Sequence, residues 1–175
     1  MKNSIALIGF MGTGKTAVGK ILARKMELNF IELDALIEMK VKMTIPRIFE
    51  QGGEIAFREL EIEVTKDLVR VERSVIACGG GFVLNRINVD RLRQSSVIIY
   101  LTASPSVTLK RVSRQAGQRP LLDVTDPLST IREMIKKRKP YYEQAADITV
   151  NTSRLSTEAV ANIIIEKLKE DESFD

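Results

Sequence analysis

Short unbroken apolar runs alternate with stretches of helical period along this chain. The run SIALIGF at 4–10 reads as a buried strand, and residues 16–26 carry Val18, Ile21, Leu22 and Met26 at helix spacing. NFIEL is a second short strand. IPRIFEQGG reads as a helix with Pro46 in its first turn and Gly52 or Gly53 at its end. Residues 54–71 continue in helical period, with Ile55, Phe57, Leu60, Val64 and Leu68 near one face. SVIAC and SVIIYL are further strands. Ser104 with Pro105, and Asp126 with Pro127, each supply an N-cap and a first-turn proline for a helix. DITVN is the last strand. LSTEAVANIIIEKLKE is a helix with Val160, Ile163, Ile164 and Leu168 on its core face, and residues 171–175 are expected to fray. This βαβα alternation, with almost no hairpin signal, predicts an α/β fold with a central parallel sheet and helices on both faces. The stretch at about 112–125 has no clean period, and two readings stand: a surface loop, or a lid over a ligand.

The length, 175 residues, suits one domain spanning 1–175. The 27 basic and 23 acidic residues are intermixed, so the net charge of +4 describes a solvated surface. The only basic cluster, KKRK at 136–139, is too short for a nucleic-acid stripe, and no nucleic-acid partner is expected. No apolar stretch reaches the roughly 18 residues of a membrane span. Cys78 is the only cysteine, which fits a cytoplasmic protein without a disulfide framework. There is no histidine, so a general base must come mainly from the carboxylates.

GFMGTGKT at 9–16 follows the first strand and opens a helix. Gly9, Gly14, Lys15 and Thr16 fit G-x-x-x-x-G-K-[ST]. Glycines let the backbone N–H groups curl toward phosphate oxygens, the helix start adds positive potential, the lysine reaches the β- and γ-phosphates, and the threonine hydroxyl helps hold Mg²⁺. Gly12, Thr13, Gly14, Lys15, Thr16 and Ala17 are therefore the expected ATP contacts. The loop does not say where the phosphoryl group goes.

Three further clusters bear on that question. Glu32 and Asp34 stand at the end of the second strand, two residues apart, facing either the ligand crevice or, for Asp34, the following helix as its N-cap. In FRELE, Arg58 and Glu61 lie one helical turn apart, as a surface ion pair or as part of a site. In CGGGF, Gly79, Gly80 and Gly81 are more glycines than a turn needs, which suggests close approach of a ligand to the backbone.

GFMGTGKT, ELD, FRELE, CGGGF, RPLL at 119–122 and KRKPYY at 137–142 together resemble the shikimate kinase family, in order and in spacing, over about residues 4–150. The resemblance implies a P-loop kinase fold with a mobile lid, ATP and Mg²⁺ as cosubstrate and cofactor, and transfer of the γ-phosphoryl group to the 3-hydroxyl of shikimate. It implies Asp34 as the base touching the substrate hydroxyls, Arg58 and Arg138 as carboxylate ligands, and Glu61 as the group orienting Arg58. Gly79, Gly80 and Gly81 line the substrate pocket in this reading. Arg119, on the lid, reaches the transferred phosphate, and Arg111 is the best match for an arginine stacking on adenine. Lys15, Asp34 and Arg119 form the implied catalytic set. A monomer is expected. The family commonly has Asp-x-Asp where this chain has Glu32-x-Asp34; Glu32 would then serve Mg²⁺ through water, beside Thr16. The rival readings are another small-metabolite kinase of gluconate type and a non-catalytic nucleotide-binding regulator.

Overall fold

In the computed structural model, which describes residues 2–114 and 125–175, the five predicted strands form one sheet. They are β1 (Ser4–Ile8), β2 (Asn29–Glu32), β3 (Ser74–Ala77), β4 (Ser96–Thr102) and β5 (Ile148–Asn151), in the order β2-β3-β1-β4-β5. Every pairing is parallel; β1 sets Ile5 beside Val75 and Val97, and Ala6 beside Ile76 and Ile98. The helices are α1 (Lys15–Lys25), α2 (Leu33–Val41), α3 (Ile45–Leu68), α4 (Arg86–Leu92), α5 (Pro105–Ser113), α6 (Pro127–Ala145) and α7 (Thr157–Lys169).

The runs of β1, β3 and β4 are mainly apolar because both sheet faces are covered there, whereas the edge strands β2 and β5 carry polar residues. Alternate side chains go to opposite layers. Ala6, Ile8, Ile76, Ile98 and Tyr100 pack with Ile37, Phe57, Leu92 and Tyr142. Ile5, Leu7, Val75, Ile99 and Leu101 pack with Val18, Leu22, Val160 and Ile164. The chain winds from β1 toward β2 on one side and later toward β4 and β5 on the other. The loop after β1 therefore opens at the point where an open parallel sheet leaves a crevice.

Both proline-led helices start as expected: Ser104 accepts from the Val107 N–H, and Asp126 accepts from the Ser129 N–H. Several expectations need correction. The ELD segment is not one strand, since α2 begins at Leu33. Asp34 lies inside the first turn of α2 and is not its cap; Glu32 holds that position. The helix end expected at Gly52 or Gly53 is present, since Gly53 takes φ 67°, ψ −167° and divides α3 into two helical segments, but the second segment ends at Leu68 and not at residue 71. Ile55 is 77% exposed. It stands two residues from Phe57, about 200° around the helix, so the two cannot share a face. The buried stripe is instead Phe57, Glu61, Val64 and Leu68. A single 3₁₀ turn (Phe82–Leu84) and α4 fill a stretch in which the sequence offered no clear signal.

Nor does the tail hang free. The Lys2 N–H donates to Ser173 O at 2.7 Å, the Asp175 N–H donates to Lys2 O at 2.9 Å, and Phe174 packs against the α1/α7 layer. One aromatic residue among acidic ones is enough to anchor it.

Candidate active site

The phosphate loop owes its shape to three glycines in the left-handed half of backbone space. Gly9 (φ 146°) passes so near β4 that a Cβ would stand 2.3 Å from Leu101 O, and Gly12 (φ 73°) leaves 2.9 Å to a Val112 methyl. Gly14 (φ 97°) caps α1 without a side chain, so the first N–H groups of that helix face the loop. The Thr13 hydroxyl donates to Phe10 O at 2.8 Å and pins the loop. Lys15 folds back over it, its Nζ donating to Gly9 O at 2.8 Å and Phe10 O at 2.9 Å. At the start of α1 the Thr16 hydroxyl donates to Glu32 Oε1 at 2.6 Å, joining the loop to the end of β2.

The three scattered clusters meet around the Gly79–Gly81 turn after β3. Asp34 Oδ1 and Glu61 Oε1 are buried without a hydrogen-bond partner among the described residues. Both face the bare α-carbon of Gly79, where a Cβ would stand 3.1 Å from the first and 3.3 Å from the second. Arg58 lies flat on Gly81; a Cβ there would stand 2.0 Å from its Nη2. Its Nη1 donates to Glu61 Oε2 at 3.0 Å, and its Nη2 and Nε donate to Glu54 Oε1 at 3.0 and 3.3 Å. Gly80 joins this half to the phosphate loop: its bare face looks at Met11 N (3.6 Å), Gly9 O (3.8 Å) and Arg138 Nη1 (4.0 Å). Arg138 Nη1 also donates to Gly80 O at 3.3 Å; the buried Tyr142 hydroxyl, whose ring stacks on Tyr100, donates to the same oxygen. None of the three glycines needs a positive φ. Gly79 and Gly81 make room for the side chains of Asp34, Glu61 and Arg58, a demand that stands beside the ligand approach expected from sequence.

Burial raises the Asp34 carboxyl above the usual aspartate range; Lys15 and Arg58 offset this only in part, and Glu32 and Glu38 add to it. Burial likewise raises Glu61 despite its bond to Arg58. The Tyr142 hydroxyl is pushed up to about 12 by burial, so it stays a neutral donor.

Arg111 sits at the other end of the loop. Its guanidinium donates to Gly12 O at 3.1 Å, to Thr152 Oγ1 at 2.9 Å and to Thr152 O at 2.8 Å. The Thr152 hydroxyl lies 3.1 Å from Thr13 O. A cavity of about 570 Å³ opens beside it, lined by Ser104, Val107, Asn151, Ser153 and Arg154 among others. Arg119 and most of the 112–125 stretch lie outside the described residues. Sequence reasoning missed Glu54, Thr152 and the use of Tyr142. Glu54 carried a readable signal, four residues before Arg58 on a helix; Thr152 carried none.

Thr16 and Glu32 are hard oxygen donors of the kind Mg²⁺ accepts, and the threonine proton points at the carboxylate, which leaves its lone pairs outward. Among the described residues no group of three or more acidic or cysteine side chains could hold a metal ion together. The pair thus suits an ion that keeps waters and phosphate oxygens as its other ligands.

The family description "Shikimate kinase" matches residues 11–169. The shikimate kinase of Thermodesulfovibrio yellowstonii is 46% identical over 167 residues, covering 95% of each chain. That of Caldanaerobacter subterraneus is 46% identical over 165 residues, covering 94% of this chain and 95% of the other. The solved shikimate kinase from Acinetobacter baumannii, in complex with shikimate, superposes with a TM-score of 0.91 at 34% identity, covering 98% of this chain and 96% of that one.

Proposed function

The chain belongs to the shikimate kinase family, and on that premise we infer that it phosphorylates the 3-hydroxyl of shikimate with ATP. Aromatic amino-acid biosynthesis is the pathway this activity serves. The carrying observation is the Gly80 junction, where the phosphate loop and an arginine-flanked carboxylate pocket share one strand-end turn.

The division of labour proposed is as follows. Gly12 through Ala17 and Lys15 hold the ATP phosphates, and Lys15 with Arg119 counters the charge that grows on the moving phosphoryl group. Arg58 and Arg138 take the shikimate carboxylate, since guanidinium forks match a carboxylate's two oxygens. Glu61 keeps Arg58 turned toward the pocket, which the 3.0 Å ion pair supports. Gly79, Gly80 and Gly81 keep the pocket floor thin. Asp34 accepts the proton of the attacking hydroxyl; a carboxylate made more basic by burial suits that task. Thr16 and Glu32 would hold Mg²⁺, which when bound draws charge off the phosphate oxygens. Arg111, beside Gly12, borders the adenine, and the neighbouring cavity has room for it. In this reading the enzyme acts as a monomer in the cytoplasm.

ADP release with Mg-ATP tests the reading. Shikimate should raise it far above the rates with gluconate or quinate. ATP binding without a shikimate-dependent rate would keep the phosphate loop and overturn the substrate.

A further inference from the structure

Arg58 is neutralised twice over. Of its five N–H groups, Nε and one of Nη2 go to Glu54 Oε1, and one of Nη1 goes to Glu61 Oε2. One positive charge therefore faces two carboxylates before any anionic ligand arrives. A third carboxylate would meet a net negative group, with one guanidinium edge already taken.

The two partners are not equivalent. Glu61 is fully buried on the inward stripe of α3, while the Glu54 side chain is 61% exposed. Glu54 also follows Gly53 directly, the point where α3 breaks (φ 67°), and among the described residues nothing lies within 4 Å of where a Gly53 Cβ would be. Glu54 can swing into water at little desolvation cost, and Glu61 cannot.

We propose that Glu54 is a displaceable counter-ion for Arg58, standing in for the substrate carboxylate while the pocket is empty and lowering the affinity of the enzyme for its anionic substrate. It is a positioning and specificity-tuning residue that touches neither reacting atoms nor nucleotide. By the same contact it holds Arg58 against a neutral or cationic ligand, which cannot expel a carboxylate. The proposal rests on Arg58 being the shikimate carboxylate ligand.

Glu54→Gln and Glu54→Asp, compared with the parent by calorimetric titration with shikimate and by steady-state kinetics in both substrates, test it. Glu54→Gln should bind shikimate about two- to fivefold more tightly, the range set by an exposed ion pair. The gain should appear in KM for shikimate and not in KM for ATP, and should shrink in high salt, where the parent's ion pair is already screened. Glu54→Asp should fall between the two, because its shorter carboxylate reaches Arg58 less well. Unchanged or weaker binding in Glu54→Gln, with normal binding by the parent, would overturn the proposal and make Glu54 a structural support. A parent that binds ATP but not shikimate would instead overturn the substrate reading, and this proposal with it.

Discussion

Arg58 Nη1 and Glu61 Oε2 lie 3.0 Å apart, one helical turn from each other, with the glutamate wholly buried and the arginine about one-fifth exposed. An i, i+3 pair on a free helix surface contributes only a few tenths of a kcal/mol. Here the pair spans the boundary between core and pocket, so it fixes where a guanidinium can point.

Removing Glu61 should therefore harm recognition and stability together. Glu61→Ala removes a charge-assisted bond and leaves a buried void, and a loss of about 2–3 kcal/mol is expected in urea denaturation. Glu61→Gln, which keeps shape and one bond, should lose less stability while still raising KM for shikimate.

Gly81→Ala tests the packing of Arg58 on the strand-end turn. The backbone there has φ −101°, which alanine tolerates, so any effect is steric. A methyl 2.0 Å from Nη2 must push the guanidinium away. Shikimate affinity should fall by on the order of tenfold or more, the equivalent of a 1–3 kcal/mol overpacking strain. ATP affinity, read by nucleotide titration, should stay near that of the parent.

Asp34 links function to stability through pH. Its folded-state pKa is raised by burial, so between the ordinary aspartate range and that raised value the folded state holds a proton that the unfolded chain has released. Stability contributed by this group is present at low pH and is lost as pH rises through the folded value. Asp34→Asn should consequently melt above the parent near neutral pH, and the difference should shrink toward pH 4. The same variant should lose nearly all turnover, since asparagine cannot take the hydroxyl proton. Thermal melts at several pH values, beside ADP release, check both halves.

The C-terminal clasp predicts a change without functional cost. Deleting residues 172–175 removes the Lys2 bridge and the Phe174 contact. A loss of about 1–2 kcal/mol is expected for one partly buried aromatic side chain, with KM for shikimate unchanged. An unaltered melting temperature would mean the clasp adds nothing in solution.

Much of this protein is written in local patterns. The apolar runs at 4–8, 74–77 and 96–102 specify strands, the helical periods specify their partners, and Ser104–Pro105 and Asp126–Pro127 specify helix starts, because each signal lies within a few residues. The phosphate loop is legible for the same reason: strand, turn glycines, Lys15 and helix start are contiguous, and three of those glycines take the positive φ the turn needs. Only the tertiary structure decided that Asp34 sits in the first turn of a helix, that Ile55 faces water while Glu61 is buried, and that Phe174 anchors the chain's end. It also decided which side chains crowd Gly79 and Gly81. Asp34, Arg58 and Glu61 come from elements far apart in sequence from residues 79–81 and converge there only because β2 pairs with β3 and α3 packs over that sheet face. Distances between residues remote along the chain are set by how whole layers pack, and no local pattern of residues contains them.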